Sequence, residues 1–73
     1  MARRSLNAKH LLYDASTRRF LARTGEWTRD MAQAIVFRDL ASVVQFCLRH
    51  GFKDAEAVVQ FDSGKRVRMP VCA

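Results

Sequence analysis

The stretch DLASVVQFCLRHG, from Asp39 to Gly51, decides the fold because it carries the signals of a capped amphipathic helix. Its apolar residues recur with helical spacing along one face, at Leu40, Val43, Val44, Cys47 and Leu48. Phe46 lies beside this stripe, where it can cover one edge. Asp39 is a favoured N-cap residue, and Gly51 stands where a left-handed residue commonly ends a helix. The pattern predicts one helix whose apolar stripe is buried against another element.

Segments with strand-like composition lie on both sides of the predicted helix. Upstream, KHLLYDASTRRFLAR (residues 9–23) predicts two short strands joined by a loop of about three to five residues. Asp14, Ser16 and Thr17 are the turn-forming residues of this loop. Downstream, AEAVVQF (55–61) and KRVRMPV (65–71) predict a second hairpin around a turn at residues 62–64.

Alternation along the two downstream strands assigns their side chains to opposite faces. In the first strand, one face carries Ala57, Val59 and Phe61, and the other carries Glu56, Val58 and Gln60. In the last strand, one face carries Val67, Met69 and Val71, and the other carries Arg66 and Arg68. Pro70 has no N–H to donate, so either this last strand lies at an edge of the sheet or its pairing ends at the proline.

The segment GEWTRDMAQAIVF (25–37) connects the first hairpin to the helix and contains the single tryptophan of the chain. Gly25 suits a turn that requires a positive φ. Thr28 is predicted to N-cap a short helical turn, in which Met31 and Ala34 share one face. The AIVF that follows is typical of a brief extended segment. Trp27 is therefore expected to fasten the first hairpin to the helix.

Together these elements predict an α+β fold, with one main helix on one face of an antiparallel sheet of about four or five strands. A short helical turn follows Trp27. Residues 9–71 are expected to form a single domain, and residues 1–8 a basic N-terminal arm. A chain of 73 residues has room for one small core and for no separate substrate domain.

The middle segment also carries a recognisable motif, Gly-x-Trp-Thr-x-Asp-x-x-x-Ala-x-x-Phe, followed by the capped helix. The matching residues are Gly25, Trp27, Thr28, Asp30, Ala34 and Phe37. This pattern resembles one found in small, uncharacterised bacterial and phage proteins, and the likeness covers roughly residues 13–61. The resemblance implies an architecture but no activity. The structural anchors expected from it and from the helix caps are Trp27, Ala34, Phe37, Asp39 and Gly51.

Composition makes charge the strongest functional signal. The formal net charge is +6, from 13 basic and seven acidic side chains, which favours nucleic acid, an acidic protein surface or an anionic membrane as partner. No apolar run approaches the roughly 20 residues of a membrane span, so a membrane partner is not expected. The basic N-terminus lacks the apolar run of a signal peptide. The cysteines at positions 47 and 72 are too few for a disulfide scaffold, which favours reduced thiols in the cytoplasm.

Catalytic and metal-binding patterns are weak. Cys47 and His50 are three residues apart on the predicted helix, but Cys47 belongs to the buried stripe, where a thiol is unreactive. A zinc site would need these two with His10 and Cys72, which supply one close-spaced pair instead of two. The glycines stand singly, so no phosphate-binding loop is present. We therefore expect no enzyme activity, no metal and no cofactor.

The basic residues of the two hairpins form the predicted binding surface. They are Arg18, Arg19 and Arg23 in the first hairpin, and Lys65, Arg66 and Arg68 in the last. If the hairpins are neighbours, these side chains could share the sheet face opposite the helix, with Tyr13 nearby. Their exposure is expected because Phe20 with Ala22, and Val67 with Met69, occupy the opposite face by alternation. The simpler alternative is that these charges only solvate the sheet and protect its edges.

Two functions follow from this surface. The first is a non-enzymatic binding or regulatory module whose arginine-rich surface contacts an acidic protein partner. The second is a non-specific nucleic-acid-binding protein that tracks a phosphate backbone and stacks a base on the same face. Either function is compatible with a monomer or with a homodimer formed through an edge strand.

Overall fold

The computed structural model describes residues 8–71 and contains a five-stranded antiparallel sheet with one α-helix, which confirms the α+β prediction. The elements in chain order are β1 (Ala8–Asp14), β2 (Arg19–Leu21), β3 (Trp27–Thr28), a 3₁₀ turn (Met31–Gln33), α1 (Leu40–His50), β4 (Ala55–Phe61) and β5 (Arg66–Pro70). Residue 8, which the sequence assigns to the N-terminal arm, belongs to β1; the rest of that arm and Cys72 lie outside the described residues.

The spatial order of the strands is β3-β2-β1-β4-β5, so β1 lies at the centre of the sheet. It pairs over its whole length with β4, from Ala8 opposite Phe61 to Asp14 opposite Ala55. This long-range pairing brings the two predicted hairpins side by side. It also leaves β5 at an edge, which is the first of the two alternatives that the proline in this strand predicted.

Local signals define α1 at both ends, as predicted. The Asp39 carboxylate accepts hydrogen bonds from the backbone N–H of Ser42 at 2.9 Å and from its hydroxyl at 2.7 Å. Gly51 has a φ of +69° and donates its N–H to the Cys47 carbonyl at 2.8 Å. These bonds satisfy backbone and side-chain groups that a helix terminus otherwise leaves to water.

The predicted apolar stripe of α1 is correct at its centre and wrong at Leu48. Val43 and Cys47 are fully buried, whereas Leu48 is 69% exposed. One residue turns a helix by about 100°, so Leu48 lies on one flank of the buried line and Phe46 on the other. Phe46 packs edge-on against Phe37 with ring centroids 5.5 Å apart. The helix is therefore rotated so that the Phe46 flank is covered in place of the Leu48 flank.

The sheet is apolar on both faces, and each face has its own core. The helix face, which α1 covers, contains the buried residues Leu12, Leu21, Ala55 and Ala57, together with Val43 and Cys47 from the helix. The opposite side, here called the arginine face, contains the buried residues Leu11, Phe20, Ala34 and Val58, with Tyr13 and Met31 packed against them. The placement of Met31 with Ala34 confirms that these two side chains share a face.

The segment before the helix differs from the prediction in two respects. Thr28 is not an N-cap but ends β3, and its hydroxyl accepts from the Asp30 N–H at 3.0 Å. Asp30 caps the 3₁₀ turn instead, accepting from the Ala32 N–H at 3.0 Å. Ala34 and Phe37 then form single antiparallel bridges with Ala22 and His10, which confirms an extended segment here. β3 was not predicted because a strand of two residues has no readable alternation.

Aromatic side chains connect the first three strands to the end of the helix. Trp27 is half-buried on the helix face and meets Phe52 edge-on, with ring centroids 5.3 Å apart. Phe52 follows the C-cap glycine, so this contact ties β3 to the C-terminal end of α1. Within residues 8–71, no helix has the length and apolar character needed to cross a bilayer.

Candidate binding surface

Arginines from both hairpins surround a shallow cleft on the arginine face. Arg18, Arg66 and Arg68 line it together with Tyr13, Phe20 and Val58, and its volume is about 180 Å³. We call this feature the arginine cleft. The three arginines are exposed, whereas Phe20 and Val58 are buried beneath them. The cleft therefore has an apolar floor and a cationic rim.

Arg18 reaches the cleft because the turn between β1 and β2 is held by Asp14. The Asp14 carboxylate accepts from the Ser16 N–H at 3.0 Å, the Ser16 hydroxyl at 2.8 Å and the Thr17 hydroxyl at 3.0 Å. Arg18 donates its N–H to the Asp14 carbonyl at 2.7 Å and has a φ of +59°, which is uncommon for a side-chain-bearing residue. Burial opposes ionisation of Asp14, but the bonds from Ser16 and Thr17 outweigh it and lower the pKa of that carboxyl.

Arg66 and Arg68 reach the same cleft because they alternate on β5. Arg68 lies opposite Val58, and Arg66 lies opposite Gln60. Directly paired residues of neighbouring strands share a face, so both arginines stand on the side that carries Val58. This placement confirms the predicted division of β5 into a basic face and an apolar face.

Arg68 is the most constrained of the three arginines. Its guanidinium carbon lies 5.7 Å from the centroid of the Tyr13 ring, within the range of a cation–π contact. Its Nε is 3.6 Å from Glu56 Oε1, which is an ion pair too long for a hydrogen bond. Because Arg68 is largely exposed, this pair stabilises the fold by at most about 1 kcal/mol. Its main effect is to hold the guanidinium over the cleft.

The remaining basic residues of the predicted surface do not join the cleft. Arg19 lies opposite Asp14, which in turn lies opposite Ala55, so Arg19 is on the helix face. Arg23 is in the turn after β2, and Lys65 is in the turn between β4 and β5. All three are exposed, as expected, but the expectation of a single shared face is wrong for Arg19.

The reason for this error is the assignment of Phe20. Alternation alone predicts that Phe20 and Ala22 face away from the arginines of β5. In the structure Phe20 lies opposite Tyr13, on the arginine face, and forms the floor of the cleft. When both faces of a sheet are buried, both carry apolar side chains. Periodicity alone then does not show which face points away from the helix.

The Tyr13 ring already contacts two neighbouring side chains. Its ring packs at a tilt against Phe20, with centroids 5.1 Å apart, and the Arg68 guanidinium lies over it. Phe20 itself is only 8% exposed. A stacking site needs a ring with a free face. A base that stacks on Tyr13 would therefore compete with the Arg68 guanidinium for this ring.

Sequence reasoning missed Phe20 and Val58 as the floor of the cleft, and Glu56 as the ion-pair partner of Arg68. Glu56 lies opposite Tyr13, a pairing that depends on the register between β1 and β4. Such a register joins residues that are far apart in the chain and has no local signal. A weaker signal was present in the consecutive apolar residues Leu11–Leu12 and Val58–Val59, which are typical of strands buried on both faces.

A second cleft, also of about 180 Å³, lies at the end of the helix face between Trp27, Phe52 and Asp14. The Asp14 carboxylate that lines it already accepts the turn hydrogen bonds described above. Elsewhere on this side, the His50 ring stacks on Phe46 with centroids 4.3 Å apart, and the Cys47 thiol is fully buried. These residues are thus arranged by packing around the end of the helix.

No family model matches the chain, and searches among curated proteins and among solved structures also found no match. The function is therefore argued from the arginine cleft alone.

Proposed function

We propose that this protein is a non-enzymatic binding module whose arginine cleft contacts an acidic protein partner. The observation that carries the proposal is the convergence of Arg18 from the first hairpin with Arg66 and Arg68 from the last around one cleft. Guanidinium groups present planar donor pairs that match carboxylates, so a rim of arginines is suited to a surface rich in Asp and Glu.

The rim carries more positive charge than its neighbours neutralise. Glu56 is the only carboxylate that pairs with it within residues 8–71, and it approaches Arg68 alone. Arg18 and Arg66 form no ion pair within the same part of the chain. Their donors face water, and a partner carboxylate would replace that water with charge-assisted hydrogen bonds.

An acidic protein is favoured over nucleic acid by the state of the aromatic residues. Tyr13 packs against Phe20 and lies beneath the Arg68 guanidinium, so base stacking would have to displace a cation–π contact. Phosphate contacts alone would still give weak, strongly salt-dependent association. Non-specific nucleic-acid binding is thus the alternative outcome of the test below.

The test is a fluorescence-anisotropy titration of the protein against labelled probes at two salt concentrations. The probes are a Glu-rich peptide, a single-stranded oligonucleotide and a duplex of matched length. We expect the peptide to bind and its affinity to fall as salt rises, because screening weakens exposed charge contacts. Tighter binding of either oligonucleotide than of the peptide at both salt concentrations would instead support the nucleic-acid function.

We place this activity in the cytoplasm and treat the module as regulatory, as the composition suggested. The chain has the acid-poor, basic balance that supports association with acidic surfaces. A monomer is the simplest form for this role, and the edge-strand homodimer is the alternative considered below.

A further inference from the structure

Within residues 8–71, β5 is an edge strand, and its outer side pairs with no other strand next to the arginine cleft. Phe61 donates its N–H to the Lys65 carbonyl at 2.9 Å, and Val71 donates to the Ala55 carbonyl at 3.2 Å. These bonds lie at the two ends of the β4–β5 ladder. Between them, hydrogen-bonded and non-hydrogen-bonded pairs alternate along the strands. The backbone N–H and C=O groups of Val67 and Met69 are therefore directed towards β4.

It follows that Arg66, Arg68 and Pro70 direct their backbone groups away from the sheet. Pro70 thus stands at an outward position, where its missing N–H removes no bond to β4. The outward N–H groups are those of Arg66 and Arg68, the same residues whose side chains line the cleft. The other edge strand, β3, has two residues and offers no comparable length.

We propose that the β5 edge receives an extended acidic segment of the partner as a sixth strand of the sheet. The inference rests on the proposed function and specifies how the partner is held. Backbone hydrogen bonds to Arg66 and Arg68 would supply the pairing. The arginine side chains would select for carboxylates on the same face of the incoming strand.

The two faces of β5 define what the incoming strand must look like. Its arginine face is cationic, whereas its helix face carries Val67, which is 38% exposed, with Met69 half-buried beside it. An added strand extends both faces at once because its side chains alternate. The segment that fits has acidic residues at alternate positions and apolar residues between them.

Charge complementarity also excludes a second copy of β5 as the preferred occupant. Antiparallel pairing of two β5 strands would bring arginines next to arginines on one face, and like charges on neighbouring strands are destabilising. The same charges that guard this edge against its own copies favour a strand of opposite charge.

The experiment uses the whole chain and a peptide of about seven residues with alternating Glu and Val, in three forms. One form is unmodified. The second is N-methylated at the Glu residues, and the third at the Val residues. All three have the same charge, but only one of the two N-methylated forms loses the N–H groups that would face β5. We expect the unmodified peptide and one N-methylated form to bind. The other N-methylated form, which lacks the N–H groups that would face β5, should not bind.

Amide hydrogen exchange, followed by NMR, gives the matching readout on the protein. The N–H groups of Arg66 and Arg68 should exchange at least about tenfold more slowly when the unmodified peptide is bound. The N–H of Arg29, which is exposed and follows β3 at the opposite edge of the sheet, is the internal control and should not change.

The outcomes separate this inference from the proposed function. If all three peptides bind equally and the two arginine amides stay unprotected, strand addition is wrong while the acidic-partner function stands. If no form binds, both are wrong. Protection that rises with protein concentration in the absence of peptide would show a second copy at the edge and overturn the choice of occupant.

Discussion

The two faces of the central sheet bury similar residues by different means. On the helix face, Leu12 is covered by α1, whose ends are capped by its own sequence. On the arginine face, Leu11 is equally buried, but its cover is Ala34 and Met31 of the connecting segment together with Phe20. The helix closes one face, whereas the thinner cover of the other leaves room for the arginine cleft. Both faces thus bury a core, and the arginine face also carries the cleft of the proposed function.

The largest expected effect tests whether both faces contribute to the core. Leu11 and Leu12 are adjacent in β1 and are 1% and 0% exposed, so Leu11→Ala and Leu12→Ala form a matched pair. Each change should lower the free energy of unfolding by about 3–4 kcal/mol. This is most of the stability of a domain with about 5 kcal/mol to lose. Chemical denaturation measures both, and a cost below about 1 kcal/mol for Leu11→Ala would mean that the arginine face has no true core.

The next effect concerns the joint between the first hairpin and the end of the helix. Trp27→Ala removes the contact with Phe52 and should lower the free energy of unfolding by about 3 kcal/mol, the lower end for a large aromatic residue, because Trp27 is half-buried. Trp27→Phe, which keeps a ring against Phe52, is the control and should lose less. Thermal melting that shifts by only a few degrees for Trp27→Ala would show that this contact is dispensable.

A smaller effect concerns the N-cap of α1, which closes the helix face. Hydrogen bonds from the Ser42 hydroxyl and N–H lower the pKa of Asp39. A carboxyl whose pKa is lowered in the folded state stabilises the fold above its unfolded pKa of about 3.9, and this contribution is lost as pH falls through the folded value. Asp39→Asn should therefore melt at a lower temperature than the wild type at neutral pH.

The pH dependence of that difference is the decisive part of the measurement. As pH falls through the lowered pKa of Asp39, the wild-type carboxyl becomes protonated, whereas the amide of the Asp39→Asn variant does not titrate. The gap between the two melting temperatures should therefore narrow towards acidic pH. A gap that stays constant from neutral to acidic pH would show that the charge on Asp39 does not contribute.

Most of the fold was readable because its signals are local. The spacing of Val43 and Cys47 defines the helical stripe, and Asp39 and Gly51 act within one turn of the helix ends. The turn at Asp14 is likewise built from its own neighbours. Leu48 was misplaced because the rotation of a helix depends on what covers its flanks, here Phe37 on the side of Phe46.

The arginine cleft was only partly readable because it depends on register. The arginines were identified as a surface, and the alternation on β5 correctly placed Arg66 and Arg68 together. Placing Arg18 with them, and Arg19 apart, requires the pairing of β1 with both β2 and β4. That pairing is decided by long-range packing of two apolar faces. A period of two is equally compatible with either set of alternating side chains facing the helix.

The smallest effect on stability is expected where the effect on binding is largest. Arg66 is exposed and unpaired within residues 8–71, so Arg66→Glu should alter the free energy of unfolding by only about 0.5 kcal/mol. Arg68→Glu should cost about 1 kcal/mol, because it also loses the ion pair with Glu56 and the contact with Tyr13. Arg19 and Arg23 are also exposed but lie outside the arginine cleft, so changing both to Glu is a control with the same change in net charge.

The most direct test of the arginine cleft is the affinity of these two double variants for the Glu-rich peptide at low salt. We predict that the Arg66→Glu, Arg68→Glu variant loses at least about tenfold in affinity, because repulsion replaces attraction at the cleft. The Arg19→Glu, Arg23→Glu variant should stay within about threefold of the wild type, since long-range charge alone changes. Equal losses for the two folded variants would contradict the account, because binding would then follow net charge and not the cleft.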